Sequence, residues 1–173
     1  MAGKIAFRIA LVVLSTAVLQ RGLFSQLRIG GVTADVFLLL AVVGGLVAGP
    51  DRGAIMGFLS GLTLDLLLQS PLGLTALTYC VVGFVSGRYQ LSVTRSSRAR
   101  LMLSTGVGSA MGYGMLVVVG WVLGQHNMLT DRLPGVLLVV GTANALLAPL
   151  AVRVLRWAWA QPAPRAFGMS YGA

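Results

Sequence analysis

An all-α bundle of six transmembrane helices is the fold this sequence predicts. Apolar residues make up 57% of the 173, against roughly 45–50% in soluble domains, and the mean hydropathy is +0.88. Charge is scarce as well: 13 Lys/Arg and 4 Asp, with no Glu, cannot cover a water-soluble surface, which needs about 25–35% charged residues. The 23 glycines suit helices whose backbones approach closely inside a bilayer. A soluble globular domain is excluded, and the bilayer is the solvent.

Six stretches are apolar enough to cross it: residues 5–20, 34–49, 52–68, 72–88, 101–124 and 133–157. The first has the basic start and short apolar core of a signal peptide, but Val18-Leu19-Gln20-Arg21 offers no small-residue cleavage site, so it is read as a retained helix. The second and third come from one long run, Ala34 to Leu68, divided at Gly49-Pro50-Asp51-Arg52, where a proline and two charges break the helix. Both are short for a hydrocarbon core of about 30 Å and are predicted to be interior. Gln69-Ser70-Pro71 turns the chain into the fourth. Pro149 is predicted to kink the sixth, and a kink can open a cavity. Residues 1–160 form the transmembrane domain, and 161–173, with Pro162 and Pro164 and no apolar period, form a short cytoplasmic tail.

The distribution of positive charge sets the orientation. With the N-terminus inside, the cytoplasmic side holds Lys4, Arg8, Arg52, Arg88, Arg95, Arg98, Arg100, Arg153, Arg156 and Arg165, and the outer side only Arg21, Arg28 and Arg132. That bias places both termini in the cytoplasm. It also accounts for the net charge of +9 without nucleic acid as a partner. The single cysteine, Cys80, excludes an intrachain disulfide.

The most specific local pattern lies on the third span, where Gly53, Gly57, Gly61 and Asp65 recur every four residues and share one helix ridge. Three glycines in a row make a groove for a second backbone, either another helix of this bundle or the helix of a partner protein. Asp65 stands about 22 Å along that helix from Pro50, and a carboxylate at mid-membrane costs roughly 2.5–3.5 kcal/mol. An outward, partly hydrated polar pocket is therefore its expected home. There it would contact a ligand or partner, pair with Arg21 or Arg28 of the first outer connection, or couple to protons. Asp35 opens the second span, as acids do at helix N-termini. Asn144 sits mid-membrane on the sixth, where an amide bonds across to another helix. Asp35, Asn144, Arg21 and Arg28 complete the expected pocket with Asp65. Further ladders, Ala41/Gly45/Gly49, Gly83/Gly87, Gly108/Gly112 and Gly120/Gly124, read as internal packing.

Catalysis fails on inventory. Gly57-Phe58-Leu59-Ser60-Gly61 has one residue too many for a nucleophile elbow, and His126, the one histidine, falls in an outer connection beside Gln125 and Asn127. A CDP-alcohol transferase needs clustered aspartates around Mg²⁺, yet position 69 is Gln and the upstream Asp-Gly pair is missing. No catalytic residue, metal site or cofactor is expected.

From Ala34 to Tyr89 the order of features resembles the MreD family of bacterial rod-shape membrane proteins. An acid opens a short apolar helix, Asp35-Val36-Phe37-Leu38-Leu39-Leu40. After a polar break come Arg52-Gly53-Ala54, Gly57-Phe58-Leu59, Gly61-Leu62 and Asp65-Leu66-Leu67. Pro71-Leu72-Gly73-Leu74, Ala76-Leu77, Tyr79 and Gly83-Phe84 follow, leading to a basic loop. One departure is Ala34, where the family usually has proline before the acid. The resemblance implies a noncatalytic inner-membrane scaffold of cell-wall elongation. It would bind the transmembrane helix of MreC and work beside RodA, a class B transpeptidase and MreB, with room for a homo-oligomer. The resemblance also implies a fold similar to the S-components of energy-coupling-factor transporters. Capture of a vitamin or metal by such a component is the alternative function. Against it, the outer loops are short and hold few aromatic or acidic groups to grip a vitamin.

Overall fold

The computed structural model describes residues 2–24, 35–68, 72–92, 98–124 and 133–159. The helices are α1 (Ala2–Leu19), α2 (Val36–Ala48), α3 (Pro50–Leu68), α4 (Leu74–Ser92), α5 (Arg98–Val122) and α6 (Leu133–Trp159), and a π-helical turn, Gln20–Phe24, extends α1. Each helix begins and ends within four residues of its predicted span. There is no strand among the described residues. Three helices, α1, α5 and α6, are long and apolar enough to cross a membrane.

The shortest helix is the centre of the molecule. With 13 residues, α2 is about 20 Å long, too short to span a bilayer core alone. It buries every residue from Phe37 to Gly45 and touches all five other helices, so protein surrounds its central turns. Its C-terminus is cut by Gly49, at φ 91, and Pro50 follows as the first residue of α3, a position where its missing N–H costs nothing.

Helices α3 and α4 form the tightest contact. A Cβ on Gly53 would fall on the Gly83 carbonyl and 2.5 Å from the Gly45 Cα; on Gly57 it would fall on the Tyr79 carbonyl; on Gly61 it would stand 2.5 Å from the Ala76 Cα. Each step of four along α3 is met by a step of four back along α4, through Gly83, Tyr79 and Thr75-Ala76. The ridge expected to seat either a partner helix or an internal one is thus filled by α4 of the same chain. The partner seat at Gly53, Gly57 and Gly61 is corrected accordingly, because the short connection after Leu68 brings α4 back antiparallel onto that ridge. Elsewhere Gly106 and Gly141 face each other between α5 and α6. Buried hydroxyls such as Thr16, Ser60, Thr78 and Thr105 donate to the carbonyl one turn back in their own helix, which satisfies them without a second helix.

Candidate functional site

Two carboxylates organise one half of the bundle, and both act on helix N-termini. Asp65 has no exposed surface. Its Oδ2 accepts from the Gly73 N–H at 2.9 Å and the Ala76 N–H at 3.2 Å, and its Oδ1 from the Thr75 N–H at 3.3 Å. Gly73 is the residue before α4, where a Ser, Thr or Asp side chain would ordinarily accept these N–H groups. Gly73 has no side chain and a φ of 101, so α3 supplies the cap from across the helix pair. The ridge and the acid are one device: three glycines bring α4 close, and Asp65 holds its first turn by charge-assisted bonds aligned with the helix dipole.

Asp35 does the same for α2 and gathers three other elements. Its Oδ1 accepts from the Leu38 N–H at 3.0 Å, and the buried Tyr79 hydroxyl of α4 donates to its Oδ2. Asn144 of α6 donates through Nδ2 to the Asp35 carbonyl at 3.1 Å. Beside it, the Val36 N–H reaches the Gln20 side chain at the end of α1 at 3.3 Å. Arg21 donates to the Leu67 carbonyl at 2.7 Å, tying the end of α1 to the end of α3. Arg28, His126 and the turn Gln69-Ser70-Pro71 lie outside the described residues.

Of the five residues expected to line an outer pocket, Asp35 and Asn144 join in one hydrogen-bonded junction with Tyr79, Asp65 caps α4, Arg21 ties α1 to α3, and Arg28 lies outside the described residues. Asp65, Tyr79 and Asn144 are each 0% exposed and Asp35 only partly, because the acids turn toward helix N-termini whose N–H groups need acceptors. Asp35 and Asn144 meet directly, whereas Asp65 serves α4 one turn before Tyr79. Among the described residues, no three His, Cys, Asp or Glu side chains come together where they could hold a metal.

Two features escaped the sequence reading. Tyr79 was visible only as a motif residue, since its partner Asp35 lies 44 positions away. At the opposite end, Arg8 stacks over the Trp157 ring and Arg52 over the Trp159 ring, each at 5.1 Å, clamping α1 and α3 to α6 by cation–π contacts. Arginines and tryptophans bunched at the end of the sixth span were the available signal.

The profile of the family described as rod shape-determining protein MreD matches residues 1–157. The chain belongs to the MreD family. Neither a curated protein nor a solved structure matches it, so the likeness to transporter S-components carries no argument. Membership in MreD, with three helices able to span a bilayer, makes this a membrane protein of rod-shape determination. In an MreD chain the buried polar junction is expected to act on stability. Tyr79→Phe should cost about 1–2 kcal/mol by removing one buried hydrogen bond, and a cycle with Asp35→Asn should return a coupling of about 1 kcal/mol, measured by unfolding in mixed micelles. Purely additive losses would show the two side chains to be independent.

Proposed function

We propose that this MreD-family chain is a noncatalytic scaffold of the cell-wall elongation machinery. It sits in the bacterial inner membrane as six crossings with both termini in the cytoplasm. It binds the transmembrane helix of MreC and works beside RodA, a class B transpeptidase and MreB. The observation that carries this reading is the use made of the polar groups: Asp65 and Asp35 cap helices of the same chain. The outward surfaces are apolar, with Phe7, Leu14, Leu66, Leu77, Met111 and Leu146 among the most exposed side chains. Such a surface suits packing with lipid and helices rather than conversion of a substrate.

The test is co-purification of the full-length chain with MreC from the same membranes. MreC should be retained, and replacing its transmembrane helix by an unrelated apolar helix should remove most of it. Retention undiminished by that replacement, or no retention at all, would overturn the reading. A vitamin or metal found bound at about one per chain would instead favour the transporter alternative.

A further inference from the structure

A cleft of about 640 Å³ opens between α1, α2 and α6 on the side of the bundle. Leu11, Leu19, Leu40, Leu147 and Leu150 are among the residues that line it, and its polar lining is confined to Ser15, Thr16 and Arg153. Thr16 is already bonded to the Val12 carbonyl. Along α6 the cleft runs from Leu147 to Trp157, about 15 Å at 1.5 Å per residue. That is half of a hydrocarbon core of about 30 Å, the depth of one leaflet.

Its two ends differ in kind. The outer end closes on Leu19 and Val36, beneath the Gln20 contact with the Val36 N–H. The other end carries Arg153 and Trp157, one helical turn apart on α6, and Arg8 of α1 stacks on that same Trp157 and donates to its carbonyl at 3.4 Å. Among the described residues Arg153 makes no hydrogen bond or ion pair, although it stands about 9 Å before the end of α6, at a depth where a cation snorkels toward phosphate. Pro149 lies beside the lining residues Leu150 and Ala151.

We propose that this cleft binds an anionic phospholipid of the cytoplasmic leaflet, its acyl chain along the leucine walls and its headgroup phosphate on Arg153. Charge complementarity selects this occupant. An apolar helix laid into the cleft would cover Arg153 with nothing to neutralise it, whereas a phospholipid brings a chain of leaflet length and an anion at its end. The cation also favours an anionic over a zwitterionic headgroup, by about 1 kcal/mol per basic residue near the surface, or about fivefold. The inference uses the orientation read from the arginines but is independent of MreC binding.

The test uses Trp157 as reporter. The full chain carrying Trp121→Phe and Trp159→Phe is reconstituted into phosphatidylcholine vesicles, with circular dichroism confirming helix content. Brominated phosphatidylglycerol or brominated phosphatidylcholine is then titrated against Trp157 fluorescence. Brominated phosphatidylglycerol should quench with about fivefold higher relative affinity, and Arg153→Gln should bring that ratio close to one. Ser15→Phe, which fills the cleft without altering charge, should lower quenching by both lipids. Equal quenching by the two headgroups in the parent protein would overturn the proposal. So would a native mass spectrum showing a dimer that Ser15→Phe dissociates, since a second copy would then occupy the cleft.

Discussion

Gly57→Ala, a single added methyl, should destabilise the bundle by about 3 kcal/mol or more, at or above the usual 1–3 kcal/mol range for overpacking. The new Cβ falls on the Tyr79 carbonyl, which is backbone and cannot rotate aside. Relief requires α3 and α4 to separate, and the same movement loosens the approaches at Gly53 and Gly61, because all three belong to one antiparallel register. It also draws the first turn of α4 away from Asp65. Gly135→Ala on α6 is the matched control, with nothing within 4 Å of the added carbon, and should stay within about 0.5 kcal/mol of the parent. Gly114→Ala, whose Cβ meets only Leu137 at 3.9 Å, should resemble the control. Equilibrium unfolding in mixed micelles reads the series. Equal losses at Gly57 and Gly135 would show that close backbone approach does not hold these helices together.

The helices could be read in advance because their boundaries are written locally. Gly49-Pro50 divides two spans wherever they pack, and the absence of charge over ten or more residues marks a helix in lipid whatever its neighbours. Packing partners are not written locally. Gly53, Gly57 and Gly61 announce that some backbone will come close, but a groove made of missing side chains carries no trace of what fills it. The better clue was the connection: with few residues between Leu68 and Leu74, α4 has to return beside α3.

Asp65 illustrates the other limit. Its place on the glycine ridge and its depth follow from counting, yet its partners are backbone N–H groups, identical at every residue and invisible to composition. The missing signal lay in α4, which opens on Leu72-Gly73-Leu74 with no side chain able to cap it. A helix start without its own cap and an acid set into the neighbouring helix at the same level are a pair that can be matched by elimination. Asp35 could be placed as a cap from position alone because its acceptor contact is three residues away, whereas the hydroxyl of Tyr79 and the amide of Asn144 reach it from helices far along the chain.

Asp65→Leu should destabilise the protein by about 3 kcal/mol. Two effects oppose each other. Removing a buried carboxylate relieves a desolvation cost of roughly 2.5–3.5 kcal/mol. Against that, three N–H groups at the start of α4 lose their acceptor, at about 1–3 kcal/mol for each one left buried and unpaired, and the favourable charge at the positive end of the α4 dipole is lost as well. The stranded donors outweigh the relief, because the ridge glycines hold α4 in place and water has little access to its first turn. Asp65→Asn separates the contributions: its amide oxygen still accepts one or two of the N–H groups, so it should lose less than half as much as Asp65→Leu. Under the proposed scaffold role, binding of MreC by Asp65→Leu should then fall only in proportion to the folded fraction, whereas Asp65→Asn should bind as the parent does. Both quantities come from one preparation, by unfolding in micelles and by retention of MreC on the tagged chain. If Asp65→Leu is as stable as the parent and yet loses MreC, Asp65 contacts the partner directly and its capping of α4 is incidental.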